Sequence, residues 1–206
     1  MDAYAVLGES RRPWLDADAL KARYLALSAA SHPDRFHGAP ETERLEAGRR
    51  AMEINAAHGI LSEPRARLLH LLELETGRRP ADIQRIPPGT MDLFVEVGQC
   101  CRDVDGFLTE RDAVTSPVLK VRMFERGMEW VERLRALQET VRAKGAGLEE
   151  ELRGMNAAWE GAPAEGASGR AGCLPLGRLE EIYRVLSYVA RWTEQIQERV
   201  VRLAAV

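Results

Sequence analysis

Residues 16–61 read DADALKARYLALSAASHPDRFHGAPETERLEAGRRAMEINAAHGIL, and the reading of this stretch decides the fold. From Asp16 to about Ser31, Leu20, Tyr24 and Leu27 recur on one side of a helix, with alanine filling much of the rest. Asp16 stands where an N-cap belongs. Pro33 ends the run, because proline disfavours the α conformation in the residue before it. After the loop HPDRFHGAP, Pro40 and Glu41 open a second helix with a proline and an acid in its first turn. That helix runs to about Leu61, with Leu45, Met52, Ile54, Ala57 and Leu61 as candidate core positions. The result is a helical hairpin with His32, Pro33 and Asp34 at its tip.

The flanking sequence continues the helical reading. Ala3, Val6 and Leu7 make a short apolar side that Gly8 ends. Ser62 or Glu63 leads, with Pro64, into a run from Arg65 to Glu75 carrying Leu68, Leu69, Leu71 and Leu72, and Gly77 fits its C′ position. Residues 77–89, GRRPADIQRIPPG, hold three prolines and read as a linker. This divides the chain into a first unit at 1–77, a linker at 78–89 and a second unit at 90–206. In the second unit Thr90 opens a helix with Leu93, Phe94, Val97, Cys101, Val104 and Leu108 on one stripe. Ser116-Pro117 opens another, with Val118, Val121, Phe124, Met128, Val131, Leu134 and Val141 recurring as far as Lys144-Gly145. A shorter run is expected from Leu148 to Glu160, then a flexible Gly/Ala/Pro-rich loop at 161–176, then a last helix from Arg178 to Leu203. No segment reads as a strand. The expected fold is all-α: an N-terminal hairpin unit and a C-terminal antiparallel helical bundle.

Composition narrows the function classes. The 206 residues carry 29 basic and 32 acidic side chains, so no cationic excess exists to displace counterions from a nucleic acid. No apolar run approaches the roughly 18 residues of a membrane span, and MDAYAVLGESRR does not have the form of a secretory leader. A cytoplasmic protein is expected. Cys100, Cys101 and Cys173 form neither a CxxC pair nor a zinc spacing. His32 and His37 have no matching pair elsewhere, so no metal and no cofactor is expected. No P-loop, GxGxxG or ordered Ser/His/Asp set occurs, which argues against an enzyme.

The chemistry therefore concentrates at the hairpin tip. Proline at 33 fixes its backbone and keeps the tip off the helical path. Asp34 offers a charged acceptor that an arginine can grip with two bonds, and the His32 ring can donate and accept at once. The plainer alternative is a turn in which His32 and Asp34 merely cap helices. The wider pattern favours recognition. Tyr4, Leu7 and Gly8 form a YxxLG opening; Leu20 and Tyr24 precede the loop; HPDRF follows; then come Ile54-Asn55-Ala56-Ala57, Leu61, Pro64 and Arg67. Over about residues 2–76 this resembles the J-domain family. The resemblance implies docking on a DnaK/HscA-type heat-shock ATPase and stimulation of its ATP hydrolysis, through His32, Pro33 and Asp34 assisted by Lys21, Arg23 and Arg35. One departure is electrostatic. Many J-domains carry a basic cluster in the last two turns before HPD, whereas residues 25–31 here are LALSAAS.

INAAHGILSEPRARLLHLLELETG, followed by a helical second unit with no Gly/Phe-rich linker and no CxxCxGxG repeat, resembles the HscB branch of J-proteins. That branch serves iron–sulfur cluster assembly, so the implied client is the cluster scaffold protein. Its scaffold-binding helix usually carries a pattern near FLMExLELRE. Here MDLFVEVGQCCRD matches at its start, so Leu93, Phe94, Glu96 and Val97 are the candidate client-binding residues; Gly98 to Cys101 depart from the pattern. Helical spacing alone reads Leu93, Phe94 and Val97 as ordinary core. Two further readings stay open: a J-protein for another client, and a helical interaction module whose J unit is inactive.

Overall fold

A computed structural model describes residues 1–80 and 86–205. The expected linker thus lies in part, at 81–85, outside the described residues. Among the described residues there are eight α-helices, one 3₁₀ turn and no strand. They are α1 (Ala3–Leu7), α2 (Ala17–Ala30), the 3₁₀ turn (Pro33–Phe36), α3 (Glu41–Ser62), α4 (Pro64–Thr76), α5 (Met91–Asp112), α6 (Pro117–Glu160), α7 (Arg170–Cys173) and α8 (Leu176–Ala204). Two compact units result. One holds α1 to α4 with Glu149–Tyr183; the other holds α5, the part of α6 up to Leu148, and α8 from Arg184. Residues 149–183, expected in the second unit, thus pack with the first.

In the first unit the helix ends follow the local chemistry. Asp2 accepts the N–H groups of Tyr4 and Ala5, and Asp16 that of Ala19. Glu63 accepts from Arg65 and Ala66 at the start of α4, where Pro64 needs no partner for a missing N–H. Gly8 and Gly77 end α1 and α4 in the left-handed region, at φ 68° and 69°. Gly8 has a second constraint: a Cβ there would stand 2.5 Å from Nη2 of Arg23.

Tyr4, Leu7, Ile54, Ala57, Leu61, Leu68, Leu71 and Leu72 are buried, as the hairpin reading requires. Leu45 and Met52 are not: both are 67% exposed, and Ala47 takes the buried place. Ala47, Ile54, Ala57 and Leu61 keep the three-, four- and seven-residue spacing of one face, and Leu45 and Met52 fall off it. Buried Arg67 ties the unit together. Its Nε donates to the Pro13 carbonyl at 2.9 Å and its Nη1 to that of Leu61 at 2.6 Å.

Residues 161–176 are more ordered than their composition suggests. They contain α7, and Arg170 is buried. Trp14 and Asn156 exchange two hydrogen bonds, each 3.0 Å, which joins the α1–α2 loop to α6. Arg153 lies over the Trp14 ring, 4.4 Å from its centroid.

In the second unit, Val97, Cys101, Val104, Phe107 and Leu108 of α5 pack with Met123, Val131, Leu134, Leu137 and Val141 of α6 and Trp192, Ile196 and Leu203 of α8. The expected break near Lys144-Gly145 does not occur; α6 runs unbroken for 44 residues. Gly145 and Gly147 keep negative φ, and a Cβ at Gly145 would touch Val189 at 3.5 Å. A glycine ends a helix by turning left-handed, and here neither does. The stripe predicted on α6 also splits. Val131, Leu134 and Val141 are buried, whereas Val118, Val121, Phe124 and Met128 are exposed.

Candidate functional site

The hairpin tip is built from α2 and α3, which run antiparallel. Tyr24 stacks on His58 with ring centroids 4.1 Å apart and its hydroxyl donates to Asn55 at 3.0 Å. Nearer the tip, Leu27 and Ser31 share a cleft of about 360 Å³ with Ala47, Arg50 and Phe36. Ser31 donates back to the Leu27 carbonyl at 2.9 Å and closes α2.

The tip itself is a short 3₁₀ turn capped by His32. The backbone N–H of Asp34 donates to Nδ1 of His32 at 3.3 Å, and the Asp34 carboxylate lies 3.5 Å from the same nitrogen. Both side chains face solvent, Asp34 at 90% of its full exposure. An exposed imidazole beside an exposed carboxylate presents a donor and an acceptor to solvent on a backbone held by its own cap. Arg35 joins them and reaches back to the Ala29 carbonyl at 3.4 Å.

The other two basic candidates do not gather there. Arg23 lies on α2 about two turns before its end; its Nε donates to the Leu7 carbonyl at 2.9 Å and its guanidinium packs on Gly8. Lys21 is exposed near the start of α2. Between Arg23 and His32, the side chains of Ala26 and Ala29 are exposed and uncharged.

On α5 the four candidate client residues separate. Val97 is 1% exposed and belongs to the core, and Leu93 packs half-buried against it. Phe94 and Glu96 face outward, Phe94 at 39% exposure with its edge toward the Tyr188 ring at 6.2 Å. Met91 and Val95 are exposed beside Phe94 and were not singled out by sequence. Their spacing of three, four and one residue was the available signal. Gln99, one of the departures from the family pattern, is engaged with Asp103 at 2.7 Å and with Arg102 at 2.7 Å.

The thiols of Cys100 and Cys101 are pushed up by burial, so neither is a ready thiolate. Among the described residues no group of three or more His, Cys, Asp or Glu side chains could hold a metal ion. Among them, too, no helix is long and apolar enough to cross a membrane.

Comparison with solved structures gives the fold a relation. The chaperone HscB from Vibrio cholerae superposes with a TM-score of 0.61 at 21% identity, over 96% of both chains. The human co-chaperone protein HscB gives 0.60 at 18% identity, over 96% of this chain and 81% of the human one. No protein-family model matches the sequence. The chain has the HscB-type fold, a J-domain followed by a helical bundle, along nearly its whole length.

Proposed function

We propose that this chain is a J-domain co-chaperone of the HscB type that docks a DnaK/HscA-type heat-shock ATPase and stimulates its ATP hydrolysis. The observation that carries the reading is the pair His32 and Asp34, exposed side by side on a capped turn at the tip of an antiparallel hairpin. Pro33 and Arg35 stand in the same turn, and Lys21 and Arg23 have at most a supporting part. The chain acts in the cytoplasm by binding, and no covalent chemistry takes place on it.

The client is the iron–sulfur scaffold protein, held by Met91, Phe94, Val95 and Glu96 on the outer face of α5. Apolar anchors beside an acidic residue suit a partner surface that is apolar with a basic edge. Holding client and ATPase together raises the effective concentration of one at the other. A scaffold-type client is supported by the resemblance of MDLFVEV to the family helix and by the exposure of Phe94.

A second reading rests on one observation. The last two turns of α2 carry no charge, so a J unit that binds without stimulating remains the alternative. Single-turnover hydrolysis by the partner ATPase decides. Stimulation that disappears in His32→Gln supports the proposal; no stimulation at saturating wild-type protein leaves only the inactive module. Capture of the scaffold protein by wild type but not by Phe94→Asp tests the client, and no capture by wild type removes the iron–sulfur assignment.

A further inference from the structure

Apolar side chains crowd the N-terminal part of α6. Val118, Leu119, Val121, Phe124 and Met128 are each between 44% and 69% exposed. A helix that covers a core on one side needs an apolar arc of roughly 100°. Met123, Leu134, Leu137 and Val141 already provide that arc. At 3.6 residues per turn, Phe124, Met128 and Val121 stand about 100–160° farther round the helix than Met123. They form a second apolar face that the unit's own core does not use.

This face borders a groove of about 580 Å³ within the second unit. Its apolar lining includes Phe124, Met128 and Val131 of α6 and Val200 and Leu203 of α8. Arg111 fixes one wall by donating to the carbonyls of Arg202, Leu203 and Ala205 at the end of α8. It also binds Asp112, the one carboxylate among the described lining residues, at 3.0 Å. Lys120 and Arg135 line the groove, both exposed, and among the described residues neither is in an ion pair. They lie about 22 Å apart along α6. The groove therefore has an apolar floor between two unmatched cations.

Charge selects the occupant. Two copies of this chain paired antiparallel across the middle of this face, near Met128, would set Lys120 of each opposite Arg135 of the other. Like charges directly opposed are destabilising, which disfavours a dimer. A segment with carboxylates about four helical turns apart and apolar residues between them meets floor and rim together. We propose that the groove receives an amphipathic helix of a partner protein, about 16 residues long, apolar at i, i+3 or i+4, and i+7, with acidic residues near both ends. The site is separate from the outer face of α5: Phe94 and Arg111 are roughly 26 Å apart along that helix. It does not depend on the function proposed above.

The probes are two fluorescein-labelled 18-residue peptides with the same leucine spacing, one with glutamates toward both ends and one with lysines there. Anisotropy titrations use the full chain. The acidic peptide should bind at least tenfold more tightly than the basic one. Phe124→Ser with Met128→Ser should weaken it at least tenfold. Lys120→Glu with Arg135→Glu should weaken it likewise and reverse the preference, while Phe94→Ser leaves it unchanged. Because every substituted side chain is exposed, melting curves should match wild type. Equal binding of both peptides, no binding of either, indifference to the groove variants, or a loss in Phe94→Ser equal to that in the groove variants would overturn the proposal. So would a wild-type dimer by light scattering that dissociates in Phe124→Ser with Met128→Ser.

Discussion

Arg170 grips Glu75 with two parallel hydrogen bonds, from Nε and Nη2 to the two carboxylate oxygens, each 2.9 Å long. Both side chains are shielded, at 8% and 2% exposure, and the remaining Nη1 donates to the Pro163 carbonyl. The pair joins α4 to the stretch that the sequence presents as a low-complexity loop. Removing either partner strands a charge away from water, which costs about 3 kcal/mol. Arg170→Ala and Glu75→Ala should each lower stability by that amount, and the double variant by far less than the sum. Urea unfolding of the four proteins checks this.

A half-buried histidine makes the first unit sensitive to acid. Nε2 of His70 accepts the Ala3 N–H at 3.0 Å, the ring lies parallel to Tyr4, and burial lowers its pKa below the ordinary value of 6.5. Asp2, 4.0 Å away, opposes that shift only in part. In the unfolded chain the ring takes a proton as pH falls through about 6.5, while the folded ring does so only at lower pH. Between the two values the unfolded state binds more protons. The contribution of His70 is thus complete above about pH 6.5 and is lost as pH falls toward the folded value. Urea midpoints measured from pH 7.5 to 5 should show this slope in wild type and a smaller one in His70→Gln.

Gly8 combines two demands that a single substitution can test. Alanine there meets the left-handed penalty, about 1–2 kcal/mol, and also displaces the Arg23 guanidinium. Gly8→Ala should destabilise by about 1–2 kcal/mol. The steric part should shrink in the Arg23→Ala background, so the two losses will not add in denaturant titrations.

The bare stretch of α2 predicts a gain. Ala26→Lys with Ala29→Lys adds positive charge on exposed positions between Arg23 and the tip. On the docking proposed above, association with an acidic ATPase surface should accelerate roughly tenfold at low salt. The advantage should fade as ionic strength shortens the screening length. Stopped-flow rates over a salt series give the result; a gain that ignores salt would show that charge is not its cause.

The hairpin was legible because its signals are local. Asp16, Pro33, Glu63, Pro64 and Gly77 each act within one turn of a helix end, and Ile54, Ala57 and Leu61 share one face. What escaped was non-local or negative. Nothing near Gly145 in sequence reports that Val189 will pack against it, so a continuous α6 looked like two helices. Arg170 is one arginine among 26, and its partner is 95 residues away. Nothing in the sequence around Arg23 reports that its guanidinium will reach the Leu7 carbonyl beside Gly8. Leu45, Met52 and the first turns of α6 show the opposite failure. Periodicity finds apolar side chains but does not say whether anything covers them.

The bond from the Asp34 N–H to Nδ1 of His32 also bears on the tautomer. While Nδ1 accepts it, the hydrogen of the neutral ring is carried on Nε2. The nitrogen that braces the turn and the nitrogen left free for the proposed docking are therefore different atoms of one side chain. Asparagine at position 32 can reproduce the first, since its amide oxygen can take the Asp34 N–H, but has nothing at the position of the second. His32→Asn consequently separates loss of the turn from loss of the contact: the cap is kept, and only the outward hydrogen is withdrawn.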